Sequence, residues 1–142
     1  MRRPRILIDT GPIVAILSEN DHHHQRCTEE LGSLRPPLFT CWPVVTEAQW
    51  LVRHDANAID GLFRAFETKL LALLPLDEDA MPGLHAFLRR YHKIGAQFAD
   101  ASLVYLAERE GIDTVFTLDR RDFSVYRYAR NRRLEIIPAL AR

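Results

Sequence analysis

Four acidic residues stand at or near the ends of apolar segments in this 142-residue chain. Asp9 follows Ile6-Leu7-Ile8, and Asp119 follows a second apolar run. Glu47 lies one turn into a predicted helix, and Asp100 opens a helix that is otherwise almost wholly apolar. A carboxylate is seldom buried unless a cation, a hydrogen-bond donor or a metal compensates its charge. The four acids therefore predict a shared site for a divalent cation.

The ion that such a site would hold follows from its oxygen ligands. Converging carboxylates repel one another and raise their own pKa values unless cations lie between them. Mg²⁺ and Mn²⁺ suit an all-carboxylate site, whereas Zn²⁺ prefers nitrogen and sulfur. One or two such ions would activate water for in-line attack on phosphorus and neutralise the charge that develops on the phosphate.

Each acid also has a purely structural explanation. Asp9 is placed to accept hydrogen bonds in an Asx-turn, and Asp119 to cap the turn after its strand. Glu47 complements the positive end of its helix dipole, and Asp100 is a candidate N-cap. Taken singly, these explanations account for Asp9, Asp119 and Glu47 at least as well as a metal does. Asp100 is the strongest candidate for a function, because alanines flank it in an apolar helix.

Strand-like runs alternate with helical segments, which is typical of an α/β domain with a mainly parallel sheet. Strands are predicted at Arg5–Ile8, Leu38–Cys41, Leu73–Leu76, Thr114–Leu118 and Glu135–Ile137. Helices are predicted at Ile13–Ser18, Asp21–Leu31, Pro43–Arg53, Asn57–Leu71, Asp79–Tyr91 and Phe98–Glu110. Parallel strands end at one edge of a sheet, where ligands normally bind, so acids distant in sequence are expected to meet there.

The composition, 47% hydrophobic and 27% charged, predicts one folded domain spanning residues 1–142. Two cysteines are too few for a disulfide framework, and no CxxC pair suggests zinc. These features predict a cytoplasmic protein. The apolar run near the N-terminus is too short for a signal sequence, and no run approaches a membrane span, so no membrane association is expected.

The charge distribution leaves nucleic-acid binding open. The net charge is zero, but seven arginines and only two acids follow Asp119. Arg89, Arg90 and Lys93 form a second basic cluster. Such patches either bind phosphates or form an ordinary solvated surface.

Four segments of the chain resemble the PIN-domain nucleases. They are Asp9-Thr10-Gly11-Pro12 after an apolar strand, Thr46-Glu47-Ala48, Asp100-Ala101 opening a late helix, and Thr117-Leu118-Asp119-Arg120-Arg121-Asp122-Phe123. The similarity is strongest to the VapC-type toxins of bacterial toxin–antitoxin pairs and extends over essentially the full chain. Its most specific element is the Thr-x-Asp-x-x-Phe pattern. The resemblance implies a three-layer α/β/α domain around a mainly parallel sheet of four to five short strands.

The resemblance also implies roles for individual residues. It makes Asp9, Glu47, Asp100 and Asp119 the metal-binding and catalytic acids. Thr117 matches the family's hydroxyl residue beside the site. Asp122 matches a less regular position, where both a ligand role and a supporting role stay open.

The function implied is that of a Mg²⁺-dependent endoribonuclease, with Mn²⁺ as a substitute ion and RNA as the substrate. A cognate antitoxin and a homodimer are the implied partners. Apolar residues of the first two helices and of Ala58–Phe66 are candidates for a partner surface or for ordinary core. The alternative is a catalytically inactive PIN-like module that binds RNA or protein.

Three other patterns carry weaker predictions. His22-His23-His24 are contiguous, and their side chains would point in different directions, so a solvated helix start is favoured over a metal site. The aromatic residues Trp42, Trp50, Phe123 and Tyr126 suit either base stacking or packing. An aspartyl-phosphate mechanism at Asp9 is disfavoured, because Gly11 stands where a second acid is required.

Overall fold

The computed structural model describes residues 4–140, which form a sheet of five parallel strands. The strands are β1 Leu7–Ile8, β2 Leu38–Thr40, β3 Leu71–Leu73, β4 Thr114–Phe116 and β5 Glu135–Ile137. Their order across the sheet is β3-β2-β1-β4-β5. The predicted α/β fold with four to five short strands is confirmed.

Seven α-helices connect the strands in the described part of the chain. They are α1 Thr10–Leu17, α2 His24–Gly32, α3 Trp42–Leu51, α4 Ala56–Glu67, α5 Met81–Arg90, α6 Phe98–Glu110 and α7 Arg120–Phe123. Among them, α1 packs on α2, α3 and α4, while α6 packs on α3 and α5. Because crossovers between parallel strands are right-handed, the connections before and after β3 cover opposite faces of the sheet. The central strands β1 and β4 are thereby wholly buried, as their continuous apolar sequences require.

The strand order reverses next to β1, and this reversal creates a crevice beyond the carboxyl ends of β1 and β4. The chain runs from β1 outward to β2 and β3, then returns to the other side of β1 as β4. Leu7 pairs with Val115, and Ile8 pairs with Phe116. The backbone N–H of Asp9 donates to the carbonyl of Phe116 at 2.9 Å. Ligands of doubly wound folds bind at such a point, beyond the carboxyl ends of the two strands.

The elements with unambiguous end signals lie where the sequence predicts them. Helix α6 has the predicted bounds, and Gly111 ends it in the left-handed conformation with φ of 68°. Strand β5 also has its predicted bounds. Glycine adopts a left-handed φ at little cost, which makes it the usual residue just after a helix.

Helix α1 begins at Thr10, whereas the prediction started it at Ile13. The segment Thr10-Gly11-Pro12 had the composition of a turn, but it forms the first turn of the helix, with Asp9 as the N-cap. Proline is tolerated there because the first helical N–H groups have no partner within the helix.

The segment around residue 70 also differs from the prediction. Helix α4 ends at Glu67 rather than Leu71, and β3 occupies Leu71–Leu73 rather than Leu73–Leu76. Lys69 adopts a φ of 63°, and the N–H of Leu70 donates to the carbonyl of Ala65 at 2.9 Å, which closes the helix early. The apolar run is continuous through this turn, so periodicity alone could not locate the boundary.

Two further findings concern the expected setting of the protein. No helix within residues 4–140 has the length and apolar character needed to cross a membrane. Cys27 and Cys41 are both buried and form no disulfide.

Candidate metal centre

A cleft of about 480 Å³ lies at the crevice beyond β1 and β4. Five carboxylate residues line it: Asp9, Glu47, Asp100, Asp119 and Asp122. The structure therefore brings together all four acids predicted from their positions after strands and at helix starts. It adds Asp122, for which the resemblance left both a ligand role and a supporting role open.

Asp9 is held at the end of β1 by two hydrogen bonds. Its Oδ1 accepts from the backbone N–H of Thr10 at 2.8 Å, and its Oδ2 accepts from the Thr117 hydroxyl at 2.8 Å. Asp9 is only 7% exposed, and burial raises its pKa to about 6, while these two hydrogen bonds act in the opposite direction. The nearby carboxylates of Glu47 and Asp119 add to the increase. Asp9 thus caps helix α1, where the sequence predicted an Asx-turn, and it also lines the cleft.

Thr117 links the two strand ends through one oxygen atom. The hydroxyl accepts from the backbone N–H of Asp119 at 3.0 Å and donates to Asp9. The backbone N–H of Asp119 is the donor in the first of these hydrogen bonds, so Thr117 can donate its own hydroxyl proton to the Asp9 carboxylate. This places Thr117 beside the acids, where the resemblance located it.

Asp119 and Asp122 belong to a short helix that the sequence did not predict. Asp119 is the N-cap of α7, and its Oδ1 accepts from the backbone N–H of Asp122 at 3.1 Å. Residues three apart on a helix are neighbours, so this turn brings the second carboxylate beside the first. The pKa of Asp122 is raised by burial and by the adjacent Asp119. The spacing of three residues between Asp119 and Asp122 was the signal in the sequence that the two carboxylates could lie side by side.

Asp100 is the third residue of α6 and is 7% exposed. The N-cap of this helix is Gln97, so the alternative that Asp100 caps the helix is wrong. Its Oδ2 instead accepts a hydrogen bond of 2.6 Å from the hydroxyl of Tyr126. Burial raises the pKa of Asp100 to about 7; the Tyr126 hydrogen bond lowers it, and the surrounding aspartates raise it.

The carboxylate oxygens of three aspartates approach closely enough to share an ion. Asp100, Asp119 and Asp122 each offer one oxygen, and the three atoms lie within 4.8 Å of one another. Oxygens on opposite sides of a Mg²⁺ ion lie about 4.2 Å apart, since each is about 2.1 Å from the ion, so the three carboxylates would close in slightly around a bound ion. Asp9 and Glu47 line the same cleft but lie outside this group of three. Asp122 thus belongs to the close group, although its role was left open in the sequence analysis.

A buried hydroxyl without a partner gives a second sign that the cleft suits a hydrated cation. Thr10 lines the cleft and is 3% exposed, and its Oγ1 has no hydrogen-bond partner among the described residues. An unpaired buried hydroxyl is costly, and metal-bound water is a suitable partner for it. Together with the all-oxygen donor set, this fits Mg²⁺ or Mn²⁺.

The other candidate metal site in the sequence is not assembled. Among the described residues, no group of potential ligands includes the histidine run. His22 and His23 are exposed, and the Nδ1 of His24 lies 2.7 Å from the carbonyl of Ala15. The interpretation of this run as a solvated helix start agrees with the exposure of its first two residues.

The four aromatic residues considered for base stacking separate into two pairs. Phe123 and Tyr126 are buried, so base stacking is wrong for them. Trp42 and Trp50 are 60% and 59% exposed. The guanidinium of Arg53 lies over the Trp50 ring, 3.8 Å from its centroid.

Two arginines of the basic C-terminal segment donate hydrogen bonds to backbone carbonyls. Arg120 donates to the carbonyl of Pro138 at 2.7 Å, and Arg127 donates to three carbonyls of residues 124–126. The exposed arginines are Arg121, Arg130, Arg132 and Arg133, and Arg142 lies outside the described residues. Fewer cations are therefore available for phosphate binding than the sequence count indicates.

The doubly wound parallel sheet and the acidic cleft at its switch point define the class of protein. A profile of the PIN-domain family matches residues 6–130, and the chain belongs to this family.

Among individual relatives, ribonuclease VapC26 of Mycobacterium tuberculosis is 27% identical over 135 residues, which cover 94% of this chain and all of that protein. The crystal structure of Mycobacterium tuberculosis VapC20, described as a sarcin-ricin loop cleaving toxin, superposes with a TM-score of 0.70 at 18% identity. It covers 78% of this chain and 86% of that one. The chain is therefore a distant homologue of VapC toxins. The superposition on VapC20 shows that the two proteins share a fold.

Proposed function

We propose that the protein is a Mg²⁺-dependent endoribonuclease that hydrolyses RNA phosphodiester bonds with metal-activated water, and that it is the toxin of a toxin–antitoxin pair. The observation that carries this proposal is the convergence of five carboxylates on one cleft at the sheet's switch point. The relationship to a protein named as a ribonuclease supports the choice of RNA.

In this proposal the acids bind and orient, and none becomes covalently attached to the substrate. Asp100, Asp119 and Asp122 would hold the ion, and Asp9 and Glu47 line the same cleft. When bound, Mg²⁺ supplies activation of water and neutralisation of charge on the phosphate. Thr117 keeps the Asp9 carboxylate in one orientation. Burial raises the pKa of the neighbouring Cys41 to about 12, so this thiol stays protonated and is a poor nucleophile.

The test is cleavage of a mixed RNA pool by the purified protein. We expect fragments in Mg²⁺ or Mn²⁺ and none after EDTA treatment. Asp9→Ala and Asp100→Asn should abolish cleavage while each variant remains folded. Asp60→Asn, at an exposed position of α4, is the matched control and should cut normally. Binding of RNA without metal-dependent cutting would favour the inactive module, and full activity in Asp100→Asn would remove that residue from the site.

An apolar groove supports the antitoxin part of the proposal. It has a volume of about 170 Å³, and residues of α1, α2 and α4 line it. Its apolar lining includes Ile13, Ile16, Leu17, Leu31 and Ala65. Gly61 lies where α4 approaches α1, and a Cβ there would lie 3.0 Å from the Leu17 side chain. A groove of this kind suits the apolar face of a partner helix.

The groove proposal is tested with the product of a short reading frame beside this gene. We expect that product to copurify with the protein and to suppress RNA cleavage. Leu17→Asp should break the complex, whereas Val125→Asp, at an exposed apolar position, should not. A complex that survives Leu17→Asp would place the partner elsewhere.

The expected homodimer has a separate candidate surface. Trp42, Met81 and Phe98 are exposed around one shallow groove, and contiguous exposed apolar residues favour a protein contact. Sedimentation velocity should give a dimer for the wild type and a monomer for Trp42→Asp with Phe98→Asp. A wild-type monomer at micromolar concentration would contradict this part of the proposal.

A further inference from the structure

Tyr126 lies in an aromatic cluster behind the acidic cleft. The residue is 2% exposed, and its ring packs edge-on against three others. The distances between ring centroids are 4.9 Å to Phe87, 5.0 Å to Tyr91 and 5.2 Å to Phe123. Such packing allows little freedom to the ring, so the position of the Tyr126 hydroxyl is fixed by the core.

That hydroxyl donates to a carboxylate of the candidate metal centre. The Tyr126 oxygen lies 2.6 Å from Oδ2 of Asp100, and the contact is buried. Hydrogen bonds from a hydroxyl to a carboxylate at this distance are among the stronger ones in proteins. No other hydrogen bond to the Asp100 carboxylate is formed by the described residues. One carboxylate oxygen is thus held by the core, and Asp100 still offers an oxygen close to those of Asp119 and Asp122.

We propose that Tyr126 is a positioning residue of the metal centre, whose hydroxyl holds the Asp100 carboxylate in the orientation that presents an oxygen to those of Asp119 and Asp122. This inference rests on the proposed metal-dependent function. Groups that hydrogen-bond to metal ligands fix the orientation of those ligands, and their removal typically weakens metal binding about 10- to 100-fold.

The arrangement gives residues 117–126 a double role in the site. This segment supplies two carboxylates of the close group, Asp119 and Asp122. It also supplies the hydroxyls that hold the two most buried acids, since Thr117 donates to Asp9 and Tyr126 donates to Asp100. A single short segment therefore controls the geometry of four of the five carboxylates.

The hydrogen bond from Tyr126 to Asp100 also has a purely structural explanation. A buried tyrosine hydroxyl needs a partner, and Asp100 would satisfy it even without a metal. Tyr91 provides the matched control, because its ring is in the same cluster and its hydroxyl accepts from the backbone N–H of Arg127 at 2.8 Å. Tyr126→Phe and Tyr91→Phe each remove one hydrogen-bonded hydroxyl from the cluster and keep the ring, but only the first removes a contact with a carboxylate.

The experiment measures Mn²⁺ binding to the full chain by calorimetry, with the melting temperature of each metal-free variant recorded in parallel. We expect Tyr126→Phe to weaken Mn²⁺ binding by about 10-fold or more. Tyr91→Phe should bind Mn²⁺ within about twofold of the wild type, and Tyr126→Phe should melt no lower than Tyr91→Phe. Electron paramagnetic resonance of bound Mn²⁺ should show an altered ligand environment in Tyr126→Phe alone.

Each contrary result has a definite meaning. Wild-type affinity in Tyr126→Phe, or equal weakening in both variants, would overturn the inference while metal-dependent RNA cleavage stands. Weakened binding in Tyr126→Phe alone, without any RNA cleavage by the wild type, would support Tyr126 and contradict the nuclease proposal. Failure of the wild type to bind Mn²⁺ would overturn both.

Discussion

The hydroxyl of Thr117 lies 2.8 Å from Oδ2 of Asp9 and joins the carboxyl ends of β1 and β4. The same hydroxyl is oriented by the backbone N–H of Asp119. One chain of hydrogen bonds therefore connects Asp9 at the end of β1, Thr117, and Asp119, which caps α7. Strand pairing thus brings Asp9 close to Thr117, because β1 and β4 are in register up to the residues just before them, Ile8 and Phe116.

Replacing Thr117 with valine should disturb this connection while keeping the side-chain volume. The substitution removes the donor to a buried carboxylate and the acceptor of the Asp119 N–H. We expect a loss of about 1–3 kcal/mol in the free energy of unfolding, measured by urea denaturation. RNA cleavage should fall at least about 10-fold. Thr117→Ser keeps the hydroxyl and should retain most activity; wild-type cleavage in Thr117→Val would contradict the role assigned to this contact.

Asp100→Asn should stabilise the metal-free protein at neutral pH although it abolishes cleavage. Asp100 has a pKa of about 7 in the folded protein against 3.8 for the unperturbed side chain, so the folded state keeps its proton as pH rises above 4. The wild type therefore loses stability between about pH 4 and pH 7, whereas asparagine does not titrate. At about 1.4 kcal/mol for each pKa unit, the gain at pH 8 is about 4 kcal/mol.

Urea denaturation in EDTA at pH 4.5 and pH 8 measures this gain. The stability difference between Asp100→Asn and the wild type should nearly vanish at the lower pH. Asp60→Asn, at an exposed position, should show no comparable pH dependence. A variant less stable than the wild type at pH 8 would mean that Asp100 is not under electrostatic strain in the metal-free protein.

The pH dependence of metal binding follows from the same raised pKa values. Asp9, with a pKa of about 6, and Asp100, with a pKa of about 7, must lose their protons for a cation to bind. We expect Mn²⁺ affinity to rise between about pH 5 and pH 8 and then to level off. Calorimetry in buffers of different ionisation enthalpy should detect proton release at pH 6.5. Affinity that is constant over this range would show that neither acid is protonated in the metal-free cleft.

Thr10→Val should stabilise the metal-free protein, because the native hydroxyl is buried without a partner among the described residues. Removing an unsatisfied polar group of this kind gains about 1 kcal/mol or more. Thermal unfolding in EDTA should show a higher melting temperature for Thr10→Val and an unchanged one for Thr10→Ser. A clearly lower melting temperature in Thr10→Val would imply that the hydroxyl has a native partner.

The fold was largely predictable because its main signals are local. Helix α6 is marked by a long apolar run and by Gly111, and the buried strands are marked by short apolar runs beside turns. The boundary between α4 and β3 was not predictable, because the left-handed Lys69 interrupts an apolar run without any glycine or proline. Helix α1 was placed too late, because the cap formed by Asp9 turns Thr10-Gly11-Pro12 into the first helical turn.

The acids of the cleft were predictable to the extent that strand order could be inferred. Residues after parallel strands meet at one edge, so Asp9 and Asp119 followed from the topology alone. The hydrogen bond between Tyr126 and Asp100 was not predictable, because it depends on how the segment after α7 packs against α6. Sequence alone could not distinguish a buried tyrosine that donates to a buried carboxylate from an exposed one that stacks on RNA.

The most direct test of the central claim is a crystal of the protein soaked in Mn²⁺. Anomalous density should lie in the cleft, within ligand distance of carboxylate oxygens from Asp100, Asp119 and Asp122. Asp9 should be close enough to contribute an oxygen directly or through water. Density found only at the histidines of residues 22–24, or none in the cleft at saturating Mn²⁺ and pH 8, would contradict the assignment of a divalent-cation site.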